Sequence, residues 1–369
     1  MPSLEMSADW SAPEASAPFV RGTFDPDARE SDSRSPHPPT ALRSGTDLGQ
    51  LLGGRYVVLD RIGCGGMAEV FLARDSLSGR FVAVKLLAEA HRGSSAYTNR
   101  MLREAELAVS VDHPNVVVTL DAGVEDAGTP FIVLEALVGE TLHDYLERNG
   151  SMPVELALPL VRQLAEGLRA VHARGIVHGD IKPKNVFLCG PVGAPETVKL
   201  IDFGLARPVI IDSATPLDSE TIAGTLEYLS PEQVVADTLD PRSDIYAFGV
   251  IVFRWLTGEL PFDTQLGPQL LAHQLLSPAP PLSWLVPNVS RALDTLVGVA
   301  MRKARENRYP SMSALLADLD AILEGETEIQ GTPVVTRPDA YRPLTTLGRR
   351  ALEVLSRTDL DRLQLPSVA

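Results

Sequence analysis

The chain is poor in cysteine, short of positive charge and without a long apolar run. Only Cys64 and Cys189 occur in 369 residues. Two thiols cannot build a disulfide framework, so a reducing, cytoplasmic setting is expected. The seven His and two Cys show no spacing suited to a transition metal. Lys and Arg number 33 against 48 Asp and Glu, a formal net charge of −15. That balance argues against nonspecific nucleic-acid binding and leaves room for basic protein partners. No stretch reaches the roughly 18 apolar residues of a membrane span. No basic start followed by an apolar core marks a signal peptide. The expectation is a protein with no membrane span.

What is present divides the chain in three. Residues 1–50 are rich in Ser, Pro, Asp and Ala, with Pro36, Pro38 and Pro39 close together. Few large apolar side chains offset the entropy of ordering, so a disordered tail is expected there. Residues 51–324 carry periodic apolar patterns. Residues 325–369 read as a polar linker and tail, in which Leu347, Ala351, Val354 and Leu355 could form one short amphipathic helix.

The middle part is organised around Ile176–Leu188. One apolar run ends at Val177 and another begins at Val186. Between these buried ends a polar loop offers His178, Asp180, Lys182 and Asn185. A second polar site follows at Asp202-Phe203-Gly204. A carboxylate and an amide from neighbouring loops can share metal ions, while another carboxylate orients a hydroxyl. Phosphoryl transfer needs those parts, because it depends on positioning and charge neutralisation.

At these residues the chain resembles the eukaryotic-type protein kinases, in particular their bacterial serine/threonine members. His178, Asp180, Lys182 and Asn185 match the family's His-x-Asp-x-Lys-x-x-Asn, and Asp202-Phe203-Gly204 its Asp-Phe-Gly. The resemblance implies an α+β, bilobal protein-kinase fold. A small β-rich N-lobe would span about 55–138 and a larger, mainly helical C-lobe about 139–324. It also implies ATP and Mg²⁺, with Mn²⁺ as a possible substitute, and protein Ser/Thr hydroxyls as acceptors. Asp180 would orient the hydroxyl, Lys182 would face the γ-phosphate, and Asn185 and Asp202 would hold the metal.

Upstream, Tyr56–Arg61 alternates like a strand. Gly63, Gly65 and Gly66 then lie between two strands, where a glycine loop can approach phosphates closely. Ala68 stands where the family has its third glycine, and Cys64 would sit at the nucleotide. Phe81–Lys85 alternates again. Lys85 matches the lysine of the family's third strand, which holds the α- and β-phosphates. Residues 97–110 read as a helix on Met101, Ala105 and Ala108. Glu104 matches the acidic partner of Lys85, whereas Glu106 projects about 200° away from it. Val116–Leu120 and Phe131–Glu135 read as further strands. By resemblance, Leu134 is the gatekeeper, and backbone groups of Glu135 and Leu137 meet adenine. Ile62, Val70, Ala83 and Phe187 would wall the base.

Downstream, Ser151 and Pro153 suit a helix start. Leu156, Leu160, Leu164 and Leu168 recur every four residues before a stop at Gly175. Residues 202–232 resemble an activation segment ending in Gly224-Thr225 and Ser230-Pro231-Glu232. Asp244 opens a helix apolar on most sides and would anchor the catalytic loop, and Arg308 would pair with Glu232.

One departure is Gly179, where the family usually has Arg. His-Gly-Asp is also similar to the aminoglycoside and choline kinases, a competing reading. A third reading, a non-catalytic scaffold, would require the loss of Lys85, Glu104, Asp180, Asn185 or Asp202, and all are present. Glycine at 179 has no side chain to pair with an activation-segment phosphate. Basal activity without phosphorylation is therefore expected, with Ser213, Thr215, Ser219 and Thr221 as the candidate phosphosites.

Overall fold

The structure is a computed structural model that describes residues 48–125, 128–203, 207–208, 226–262, 267–326 and 329. Gly204, Gly224-Thr225, the four candidate phosphosites and the helix expected within 343–363 lie outside the described residues.

Strands β1 (Leu51–Leu52), β2 (Tyr56–Cys64), β3 (Ala68–Asp75), β4 (Phe81–Leu87), β5 (Thr119–Val124) and β6 (Pro130–Glu135) form one antiparallel sheet in the order β1-β2-β3-β4-β6-β5. Alternation sends Phe71, Val84 and Val133 into one apolar cluster of this sheet. Leu87 and Ile132 join another, with Met101 and Ala105 of helix α1 (Ser95–Val109). Glu104 lies on the buried side of α1 and Glu106 on its exposed side.

The strand expected over Val116–Leu120 begins three residues later. Val116 and Val117 are buried and pair with Leu200 of the helical lobe. Their apolar character serves the junction between the lobes and not the sheet. The alternating strand starts at Thr119.

Beyond β6 the chain is mainly helical. The helices are α2 (Leu142–Asn149), α3 (Val154–Ala173), α4 (Pro231–Val234), α5 (Pro241–Thr257), α6 (Gly267–Leu276), α7 (Arg291–Ala300) and α8 (Met312–Leu323). Short strands β7 (Gly139–Thr141), β8 (Ile176–Val177), β9 (Val186–Cys189), β10 (Thr197–Leu200) and β11 (Arg207–Pro208) lie among them. They pair as β10-β9-β7 and β11-β8. A Cβ at Gly139 would stand 2.0 Å from the Leu188 carbonyl oxygen. Only glycine permits the β7–β9 pairing at that point.

Helix α3 buries Leu160, Leu164 and Leu168 with Val161, Ala165 and Val171. Leu156 departs from the expected stripe and is exposed. Ala157 takes the buried place in that first turn, because 3.6 residues per turn carries a strict four-residue repeat off the face. Truncating fully buried Leu164 to Ala is expected to cost about 2–5 kcal/mol. Helix α5 buries residues on all sides, including Trp255, Phe248 and Phe253. Asp240 caps it by accepting the Arg242 N–H at 2.8 Å, and Pro241 suits its first position. A rigid buried rod thus runs beneath the loop that carries Asp180.

Candidate active site

The catalytic loop leaves β8 and enters β9. Asp244, in the first turn of α5, fixes it from below. Its carboxylate accepts the N–H groups of His178 and Gly179, each at 2.8 Å, and contacts His172 Nε2 at 2.8 Å. Burial opposes the charge of Asp244, but the His172 bond, the neighbouring histidines and the Gly179 N–H outweigh it. The carboxyl is held below its ordinary range. Gly179 has φ +73°, a left-handed conformation that glycine adopts without strain. Gln233 Nε2 donates to its carbonyl at 2.8 Å.

The polar tips of the loop converge. Lys182 Nζ donates to Asp180 Oδ2 at 2.7 Å, and Asn185 Nδ2 donates to the same oxygen at 3.0 Å. Asn185 Nδ2 also reaches the Asp180 carbonyl at 2.8 Å. Asp180 Oδ1 is buried and has no hydrogen-bond partner among the described residues. A buried acceptor without a partner is uncommon and asks for a reason. His178 is fully buried, its ring 5.2 Å from that of Phe203. Burial pushes its pKa down. It is a packed support for the loop.

On the opposite wall, Lys85 of β4 sits between two carboxylates. Its Nζ lies 2.5 Å from Glu104 Oε1 and 3.0 Å from Asp202 Oδ1. Burial works against the ammonium, but Asp202 and Glu104 more than offset it and push the Lys85 pKa upward. Glu104 is also raised, chiefly by burial, with Lys85 opposing and Asp202 adding to the shift. Asp202 has φ +68°, unusual for a non-glycine residue and seen where function fixes a conformation.

These features coincide with a family match. A model described as protein kinase domain matches residues 56–318, well over half of the chain. The chain belongs to the protein kinase family. A serine/threonine-protein kinase pkn2 of Myxococcus xanthus is 42% identical over 290 residues, covering 77% of this chain and 34% of that protein. A serine/threonine-protein kinase PknB of Mycobacterium leprae is 37% identical over 323 residues, covering 85% of this chain and 50% of that protein. The chain therefore spans between a third and a half of the length of these relatives. Among solved structures, the PknI kinase domain of Mycobacterium tuberculosis superposes with a TM-score of 0.59 at 25% identity, covering 76% of this chain and 100% of that one. The bilobal kinase fold follows from these likenesses and from the sheet and helices described above.

The remaining expected residues lie on β2, β3, β4, β6 and β9 and the turns beside them. Gly63 and the exposed Cys64 close β2, and Gly65 and Gly66 lie in the turn to β3. Gly65 N donates to the Ala68 carbonyl at 2.8 Å. Ala83 and Phe187 are buried, and Ile62 and Val70 are partly exposed. Leu134, within β6, and Leu137, just beyond it, are partly exposed. Leu137 has no backbone partner among the described residues. Glu135 is partly exposed at the end of β6. Its N–H donates to the Val118 carbonyl at 3.0 Å, and its carboxylate takes Lys199 Nζ at 2.6 Å.

Glu232 and Arg308 form a buried bidentate pair at 2.7 and 2.8 Å, which ties the end of the activation segment to the helical core. His172 and Gln233 escaped the sequence reading. Both act on the loop through backbone or carboxylate contacts across the fold, and neither carries a local signal.

Proposed function

We propose that the chain is an ATP-dependent serine/threonine protein kinase that autophosphorylates and acts in signalling. The kinase domain would span 51–324, between the two tails. The observation that carries this reading is the buried Asp180 Oδ1, without a partner among the described residues, beside Lys182 and Asn185. A substrate Ser or Thr hydroxyl donating to that oxygen supplies the missing partner. Asp180 then orients the hydroxyl and receives its proton, a role worth about 10²- to 10⁴-fold. Lys182 neutralises charge on the phosphoryl group in flight. Lys85, braced by Glu104, holds the inner phosphates.

Asp202 and Asn185 fit a hard divalent cation. The Asp202 side chain is 40% exposed, and Asn185 turns its Nδ2 to Asp180, leaving Oδ1 as an oxygen donor. Mg²⁺ needs few protein ligands because it keeps water and takes phosphate oxygens. Held by Asp202 and Asn185, such an ion would supply charge neutralisation at the phosphates. Mg²⁺ is our assignment, and Mn²⁺ would suit the same donors. The acidic net charge and the absence of a membrane-spanning helix among the described residues accord with a cytoplasmic protein that acts on proteins and not nucleic acid.

Gly179 motivated the small-molecule kinase reading. Its left-handed backbone accounts for glycine there without a change of substrate. The test is phosphate incorporation from ATP by wild type and by Asp180→Asn. Wild type is expected to label itself and added protein, with at least a hundredfold loss in the variant. Transfer to aminoglycosides or choline but not to protein would refute the reading.

A further inference from the structure

The loop that carries Asp180 borders a second recess. His143 of α2, Lys182 and Lys184 of the loop, Glu227 and Tyr228, and Arg254 of α5 line a cavity of about 130 Å³. Four separate segments of the chain deliver these side chains to one place. The cavity is smaller than the roughly 300 Å³ and above of small-molecule sites. It suits one side chain of a larger ligand.

Its charge is opposite to that of the protein. The chain carries a net −15, yet three cations line this recess against one carboxylate, Glu227. Arg254 is held in place, with Nη1 donating to the Tyr228 hydroxyl at 2.6 Å and Nη2 to Glu147 at 3.1 Å. The Tyr228 phenol, pushed up to about 12 mainly by burial, is neutral and cancels none of the charge. Glu147 is 61% exposed, so solvent screens its pairing with Arg254. Lys184 is exposed and has no ion pair among the described residues. Lys182 joins the recess to the reaction centre, because its Nζ lies 2.7 Å from Asp180 Oδ2.

We infer that this recess reads an anionic side chain of the protein substrate close to the phosphorylated Ser or Thr. The inference rests on the kinase reading above. A hydroxyl presented to Asp180 brings its sequence neighbours past the recess, since an extended chain advances about 3.3 Å per residue. A carboxylate or a phosphate there meets Lys184 and Arg254, and an Arg or Lys meets like charge. Glutamate, aspartate and an already phosphorylated residue share the required chemistry. The site thus sets specificity through electrostatic complementarity as well as attraction, because it also rejects basic neighbours.

The full chain is assayed with ATP and a neutral peptide of Ala and Gly bearing one Thr. Parallel sets carry Glu, Lys or phosphoserine singly at each position within about four residues of the Thr. At the favoured position, kcat/KM for the Glu peptide is expected to exceed the neutral peptide about five- to tenfold, with Lys below it. Lys184→Glu and Arg254→Gln should each shrink that preference while leaving the neutral peptide within about twofold. A larger gain from phosphoserine than from Glu assigns the recess to phosphate, and an equal gain assigns it to carboxylate. Equal use of Glu and Lys peptides by wild type, with the neutral peptide phosphorylated, overturns this inference alone. A preference unchanged in both variants also overturns it. Transfer to no peptide, with no self-labelling, overturns the kinase reading and this inference together.

Discussion

Replacing Lys85 by Met tests the wall opposite the catalytic loop, because the consequence depends on pH. The Lys85 side chain is 11% exposed and that of Glu104 is 7% exposed, so the pair is shielded from solvent. Methionine matches the lysine stem in volume, and the cost is therefore electrostatic. Removing one partner of a buried pair leaves the other charge uncompensated, at about 3–5 kcal/mol. Glu104 can escape by taking a proton. Its pKa is already raised above 4.5 by burial, with Lys85 opposing the rise. Without Lys85 the rise is larger. An acid with a raised folded-state pKa binds its proton more tightly when folded than when unfolded. Its stabilising contribution is full below the unfolded value and is lost as pH climbs through the folded one. The variant should thus lie close to wild type near pH 5 and fall behind near pH 8. About 3 kcal/mol at pH 8 corresponds to a Tm deficit of roughly 10 °C. Thermal unfolding across that pH range measures the gap. Lys85→Met with Glu104→Gln should narrow it at pH 8, with a coupling of about 1–3 kcal/mol. Phosphoryl transfer stays lost in both variants. A gap that does not change with pH, together with additive single and double variants, would refute the argument.

Asp244→Ala removes the acceptor for the N–H groups of His178 and Gly179 and the partner of His172 Nε2. Urea denaturation should show a loss of more than about 3 kcal/mol, since each buried unsatisfied donor costs about 1–3 kcal/mol. Changing Ser213, Thr215, Ser219 and Thr221 together to Ala should lower transfer to an external protein by less than about tenfold, because Gly179 provides no charge-assisted bond to a phosphate there. A drop of a hundredfold or more, with ATP binding retained, would show that phosphorylation controls the enzyme. Removing residues 1–47 should leave ATP affinity within about threefold, given their disorder-like composition. The cut stops there because Gly49 N donates to the Val58 carbonyl and Val58 N to the Gln50 carbonyl. A loss of affinity or of Tm in that truncated protein would show that the tail packs on the domain.

Local spacing was sufficient for much of this site. Asp180, Lys182 and Asn185 lie on one short loop between two apolar strands, and Lys85 ends an alternating run. The resemblance picked out Glu104 and helical periodicity set Glu106 on another face, and the structure buries the first and exposes the second. Such features are legible because they depend on neighbours within one element. The structure differed where a residue answers to a distant segment. Val116 and Val117 have the composition of a strand but are claimed by Leu200. Leu156 fits a four-residue repeat but falls off a helix of 3.6 residues per turn. Gly179 reads as a missing arginine until its φ of +73° is known. The hold of Asp244 on the loop was expected from resemblance, but the part of His172 was not. The basic recess joins α2, the catalytic loop, Glu227-Tyr228 and α5, which no periodicity connects. The sequence determined which chemical groups the chain owns and the local elements that carry them. Only tertiary packing decided which of those groups meet, because contacts between separated segments depend on how the buried helices and sheet pack.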